Sequence, residues 1–98
     1  MQQLFVVMRT RGPAWQESRS LEEQADWAAH ASFMNGLLRD GAVILGGPLE
    51  GTADVVLVMR ARTADEVRGW LARDPWAGQD LLRVTRVAPW TLRLGSLG

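Results

Sequence analysis

Asp54-Val55-Val56-Leu57-Val58-Met59-Arg60 is the stretch whose reading decides the fold. Five apolar residues run without a break between two charges, three of them β-branched, and this predicts a strand. Successive side chains of a strand point to opposite faces, so an unbroken apolar run makes both faces apolar. Phe5-Val6-Val7-Met8 has the same character. The sheet built from these strands must therefore be covered on both sides.

Working outward from this stretch, the order of elements is strand, helix, strand, strand, helix, strand. Leu4 to Met8 is the first strand, and Arg11-Gly12-Pro13-Ala14-Trp15 opens a loop that runs to about Ser20. Ser20 and Glu23 have capping-box spacing and predict a helix from about Leu21 to Asp40, stopped by Gly41. Its apolar stripe is Trp27, Ala31, Met34 and Leu38, with Leu37 alongside and His30 about 60° from Trp27 on the flank of that face. Ala42 to Leu45 is a second strand ended by Gly46-Gly47-Pro48, and Asp54 to Arg60 is the third. Thr63 and Glu66 repeat the capping spacing and start a second helix, with Val67, Trp70 and Leu71 inward, ending near Arg73 before Pro75. The last strand places Leu82, Val84, Ala88, Trp90, Leu92 and Leu94 on one face, and Pro89 marks an edge strand or a bulge.

This order predicts an α+β fold, the ferredoxin-like βαββαβ sandwich, with four antiparallel strands and both helices on one face. Two helices cover one side only. The other side needs a partner, and the simplest is a second copy, giving a homodimer joined through sheet faces or edges.

Composition narrows the chemistry. Ninety-eight residues predict a single domain over 1–98. Eleven arginines balance eleven acids and no basic tract occurs, so neither a nucleic-acid nor an anionic-membrane partner is expected. No stretch has the length of a membrane span, and no leader pattern precedes the first strand, so the expected location is cytoplasmic. Cysteine, tyrosine and lysine are absent, which leaves His30 and the carboxylates as the candidates for proton transfer near neutral pH. One histidine without cysteine makes a poor zinc set, so no metal is expected. No nucleotide fingerprint occurs, and no cofactor is implied.

His30 has a bland reading, a core-margin histidine bonded to a main-chain carbonyl, and a sharper one as a general base. Asp74 stands four positions after Trp70 and seven after Val67, on the inward face of the second helix. A carboxylate at a helix C-terminus is disfavoured by the macrodipole and calls for a compensating partner. An imidazole would serve, its tautomer fixed by the carboxylate, although Asp-Pro is also a plain turn opener. Trp15 and Trp76 lie in loops, where capping a core is the first expectation and stacking on a ligand the second. Gly47 and Pro48 read as a plain turn first, and second as a place where backbone approaches a ligand.

Several of these pieces occur together in one family. Gly12-Pro13-Ala14-Trp15, Trp27-Ala28-Ala29-His30-Ala31-Ser32-Phe33-Met34, Leu45-Gly46-Gly47-Pro48-Leu49, Leu71-Ala72-Arg73-Asp74-Pro75-Trp76 and Val87-Ala88-Pro89-Trp90 resemble, in order, the YCII-related (YciI-like) proteins. The resemblance implies the dimeric α/β-barrel version of the fold and a histidine–aspartate centre, which falls on His30 and Asp74. Where many members have an arginine three places before the histidine, this chain has Trp27, which implies a more apolar pocket. The expected function is acid/base chemistry of isomerase or lyase type on a small apolar or cyclic molecule, with Trp15, Trp27, Gly47, Pro48 and Trp76 contacting it. The alternatives are a non-catalytic small-molecule-binding or accessory module and, further off, haem ligation by His30.

Overall fold

The two doubly apolar strands lie side by side at the centre of the sheet. The structure, a computed structural model, describes residues 2–97. Strand β1 (Gln3–Arg11) pairs antiparallel with β3 (Asp54–Ala61) on one side and with β4 (Leu82–Trp90) on the other. Strand β2 (Val43–Pro48) pairs with the outer side of β3, giving the order β2-β3-β1-β4. This is the expected ferredoxin-like arrangement. Among the described residues the α-helices are α1 (Trp27–Arg39), α2 (Ala64–Leu71) and a short α3 (Pro75–Gly78).

Register assigns the faces. Phe5 opposes Met59 and Val7 opposes Leu57, and these four residues form one core with Val67 and Leu71 of α2. Met34 and Leu37 of α1 pack against the same core. Val6 opposes Val58 and Met8 opposes Val56 on the opposite face, away from the helices. A second, smaller core gathers Trp15, Trp76, Leu81 and Leu82 under the loop that follows β1.

The element boundaries depart from expectation in four places. The Ser20–Glu23 capping pair forms, with the Ser20 amide donating to the Glu23 carboxylate at 3.0 Å, but it starts only a single 3₁₀ turn, Leu21–Glu23. Gln24 is 3% exposed, and its side-chain amide donates to the carbonyls of Gln16, Arg19 and Ser20. Those bonds commit the segment to the loop, Asp26 then takes a left-handed conformation (φ 55°), and α1 begins only at Trp27. Along α1 the inward face is rotated from the expected stripe: His30 is its one buried residue, and Leu38 is 53% exposed.

The second strand does not end at Leu45 but continues through Gly46-Gly47-Pro48. The proline is tolerated because β2 is an edge strand. Gly46 crosses closely over β3, where a Cβ would come within 2.5 Å of Leu57 Cδ2. The first strand likewise runs past Met8 to Arg11.

Strand β4 is an edge strand and carries a bulge, as Pro89 suggested, but the bulge lies at Thr85. Met8 pairs with Arg86 and Arg9 with Val84, leaving Thr85 unopposed. The extra residue inverts the alternation. Leu82 and Val84 therefore share the face of Arg11 and Arg9, while Ala88 and Trp90 share that of Val6 and Leu4. The expected single apolar face does not form. The strand stops at Trp90, so Leu92 and Leu94 lie beyond it, Leu94 almost fully exposed.

Candidate active site

The site lies on the helix side of the sheet, where β1, the start of α1 and the turn before α3 converge. Asp74 is its fixed point. Contrary to the macrodipole argument, Asp74 does not burden the end of α2: it is the N-cap of α3, and Oδ1 accepts from the Trp76 amide at 2.9 Å. Pro75 at the first helical position lacks the amide that a cap would otherwise have to serve. Asp-Pro is thus a helix start as well as a turn, and it places a carboxylate where the helix dipole favours one.

His30 meets it. Nδ1 lies 2.9 Å from both Asp74 oxygens, across 44 residues of sequence. The imidazole stacks on the Trp76 indole, with centroids 3.8 Å apart and planes 5° from parallel. Trp76 is itself fully buried: its indole N–H donates to the Ala25 carbonyl, Trp15 meets its ring edge-on at 5.5 Å, and Trp27 lies 5.8 Å away. Stacking and the carboxylate together fix the ring.

The third member was not anticipated. Arg9 is 1% exposed, and Nη2 lies 2.9 Å from Asp74 Oδ2. That contact is close in distance but off the line of the N–H bond, so Nη2 makes no aligned hydrogen bond, and Nε makes none either. Nη1 faces only the Met34 thioether, at 3.9 Å. A buried donor left without an acceptor costs about 1–3 kcal/mol. The signal for Arg9 was parity: Phe5, Val7 and Arg9 alternate inward once the strand is extended beyond Met8.

Burial, the largest influence on Asp74, pushes its carboxyl up. The His30 hydrogen bond, the Trp76 amide and the Arg9 charge together outweigh it and hold the group below the usual carboxylate value. An ionised Asp74 can only accept, so Nδ1 of a neutral His30 carries the proton and Nε2 presents its lone pair. No hydrogen bond engages Nε2 among the described residues.

A cavity of about 460 Å³ opens beside the ring, between α1 and the sheet. His30, Arg9, Trp15, Trp27 and Trp76 line it from one side and Gly47 and Pro48 of β2 from another, so all the expected contact residues border one space. Trp15 and Trp76 are also core residues, as the first expectation had it, and the Arg11 guanidinium covers the Trp15 ring at 4.5 Å. Among the described residues no group of three or more metal-ligating side chains gathers. No helix there is long and apolar enough to cross a membrane.

Fold and site together define a small ferredoxin-like domain with a carboxylate-anchored imidazole beside an aromatic cavity. The YCII-related domain model matches residues 4–91, and the chain belongs to that family. None of the curated proteins compared with it matches. Among solved structures it is similar to 5-chloro-2-hydroxyhydroquinone dehydrochlorinase from Burkholderia phenoliruptrix AC1100, determined with 2,5-dihydroxybenzoquinone. Identity is 24%, the match covers 94% of this chain and 95% of that one, and the TM-score is 0.62. That likeness carries the fold.

Proposed function

We propose that the protein is a small enzyme of isomerase or lyase type that moves a proton through His30 on a small apolar or cyclic substrate. The observation that carries this reading is the imidazole held by Asp74 on Nδ1, with no hydrogen bond on Nε2 among the described residues, in a residue that lines the cavity. His30 Nε2 takes the proton, Asp74 holds the tautomer and stabilises the imidazolium, and Trp27 with the Gly47-Pro48 segment forms the walls. In an isomerisation the proton returns at another position. In an elimination a leaving group departs with its electron pair.

The dehydrochlorinase neighbour suggests elimination of hydrogen chloride as the first reaction to test, with 5-chloro-2-hydroxyhydroquinone as the probe. Chloride release is expected from the wild-type chain and is expected to fall about a hundredfold or more in His30→Ala. Equal release from both chains would remove His30 from the chemistry. Saturable quenching of the cavity tryptophans without turnover would reassign the protein to a non-catalytic binding module.

We also propose that the working form is a homodimer closed over the sheet face away from the helices. Leu4, Val6, Met8 and Val56 are half-buried on that face, Trp90 is 41% exposed, and the helices pack on the other side. A cytoplasmic setting fits this reading, as does the absence of cysteine.

A further inference from the structure

We infer that Arg9 is an anion-binding residue, and that the ligand of the cavity carries an ionised oxygen, as carboxylate or as phenolate or enolate, which takes the guanidinium. The inference rests on the cavity proposed above as the substrate site, and it names the class of molecule that enters.

Arginine carries five N–H donors, and a buried guanidinium is ordinarily engaged by carboxylates or carbonyls in fork geometry. Arg9 is not. It lies at a cavity wall at 1% exposure, with Nε and Nη2 free of hydrogen bonds and Nη1 facing a sulfur at 3.9 Å. A thioether is among the weakest acceptors a protein has, and methionine is unbranched and readily changes rotamer. Met34 also lines the cavity, so its movement exposes Nη1 from the ligand side. An oxyanion placed there replaces a poor acceptor with a strong one.

The position relative to His30 gives this charge a chemical use. Arg9 Nη2 and His30 Nδ1 each lie 2.9 Å from the same Asp74 oxygen, so the cation and the base flank one carboxylate. When Nε2 removes a proton next to a carbonyl, the C–H bonding pair forms the new C=C bond. The former C=O π pair moves onto oxygen, the proton rests on Nε2, and the new oxyanion faces the guanidinium. The aromatic lining selects flat molecules, and the remainder of the wall is mostly apolar, with Arg11, Asn35 and Asp54 as its other polar members.

Equilibrium binding by isothermal titration calorimetry tests this without turnover. The probes are benzoate and 4-nitrophenolate, the latter above its pKa, with benzamide and nitrobenzene as neutral counterparts. The wild-type chain is expected to bind at least one of the anions about tenfold or more tighter than its neutral counterpart. The two arms separate a carboxylate site from a phenolate site. Arg9→Lys is expected to keep part of that preference, and Arg9→Met to lose it while neutral binding is unchanged. Should Arg9→Met fail to fold, Arg9→Met/Asp74→Asn leaves neither charge alone and carries the same readout. Equal binding of anions and neutrals by the wild type, or a preference that survives Arg9→Met or the paired variant, would overturn the inference. His30→Ala separates the two readings: an anion preference kept there, whatever happens to turnover, supports the Arg9 site.

Discussion

The Asp74 carboxylate takes a proton donor from α1, a second from its own following turn and a positive charge from β1, all within 2.9 Å. Removing it strands Arg9 as a buried, uncompensated cation. We therefore expect Asp74→Asn to lose about 3–5 kcal/mol of stability at neutral pH, read from urea unfolding. Its pH dependence follows from a folded-state pKa held below the ordinary carboxylate value. Such a group contributes stability that is complete above its unfolded pKa and is lost as pH falls through the folded one. The wild-type urea midpoint should fall on acidification below about pH 4, and Asp74→Asn should show a smaller fall over the same window. Parallel acid profiles for the two chains would mean that the network does not hold the carboxylate ionised. Glu23 and Asp80 are also lowered by local hydrogen bonds, from Ser20 and Arg83 respectively, but both lie at the surface and are unaltered in this comparison.

At the scale of elements, the site depends on where segments begin. Thr63 caps α2 by accepting from the Glu66 amide at 3.1 Å, and α2 supplies to the core Val67 and Leu71, neither of which lines the cavity. Thr63→Ala should cost about 1 kcal/mol and leave ligand binding unaltered, a pairing that urea unfolding and calorimetry can check together. The loop after β1 is less forgiving. Gly12 donates to the Leu81 carbonyl at 3.0 Å and Ala14 to that of Asp80 at 3.2 Å, and a Cβ on Gly12 would overlap the Asp80 carbonyl oxygen. Backbone, not a flexible side-chain tip, would have to move. Gly12→Ala is expected to destabilise by about 1–3 kcal/mol and to disturb Trp15, which stands three residues on over the Trp76 edge. Unchanged stability and unchanged tryptophan emission would show that the loop yields freely.

For the whole molecule, the unresolved demand is the second face of the sheet. Val6 stands at the middle of that face, opposite Val58 on one neighbour and Ala88 on the other. A carboxylate there would be desolvated in any face-to-face pair, so Val6→Glu is expected to convert a dimeric wild type to a monomer, measured by light scattering after size exclusion. The cavity is on the opposite side, which predicts that the monomer still binds the probe anions. A wild type that is monomeric at micromolar concentration would sink the proposed assembly.

The patterns that rest on near neighbours were legible in the chain itself. The order of elements, the doubly apolar central strands and the second helix follow from periodicity and capping chemistry, and the scarcity of titrating residues singles out His30. Asp74 was drawn from the end of the second helix, whereas it caps α3. What failed were inferences about where segments begin, end and pair. The Ser20–Glu23 cap is real, yet the Gln24 amide bonds the carbonyls of Gln16, Arg19 and Ser20 in the same loop and delays the helix. The alternation of β4 is real, yet one unopposed residue at Thr85 inverts it, because register is fixed by the neighbouring strand. Arg9 lies just past the expected strand end at Met8, and its inward parity counts only once β1 is extended to Arg11. Local sequence sets which conformations are cheap, whereas the contact of Arg9, His30 and Asp74 across 44 residues and more exists only once the sheet and α3 have closed around them.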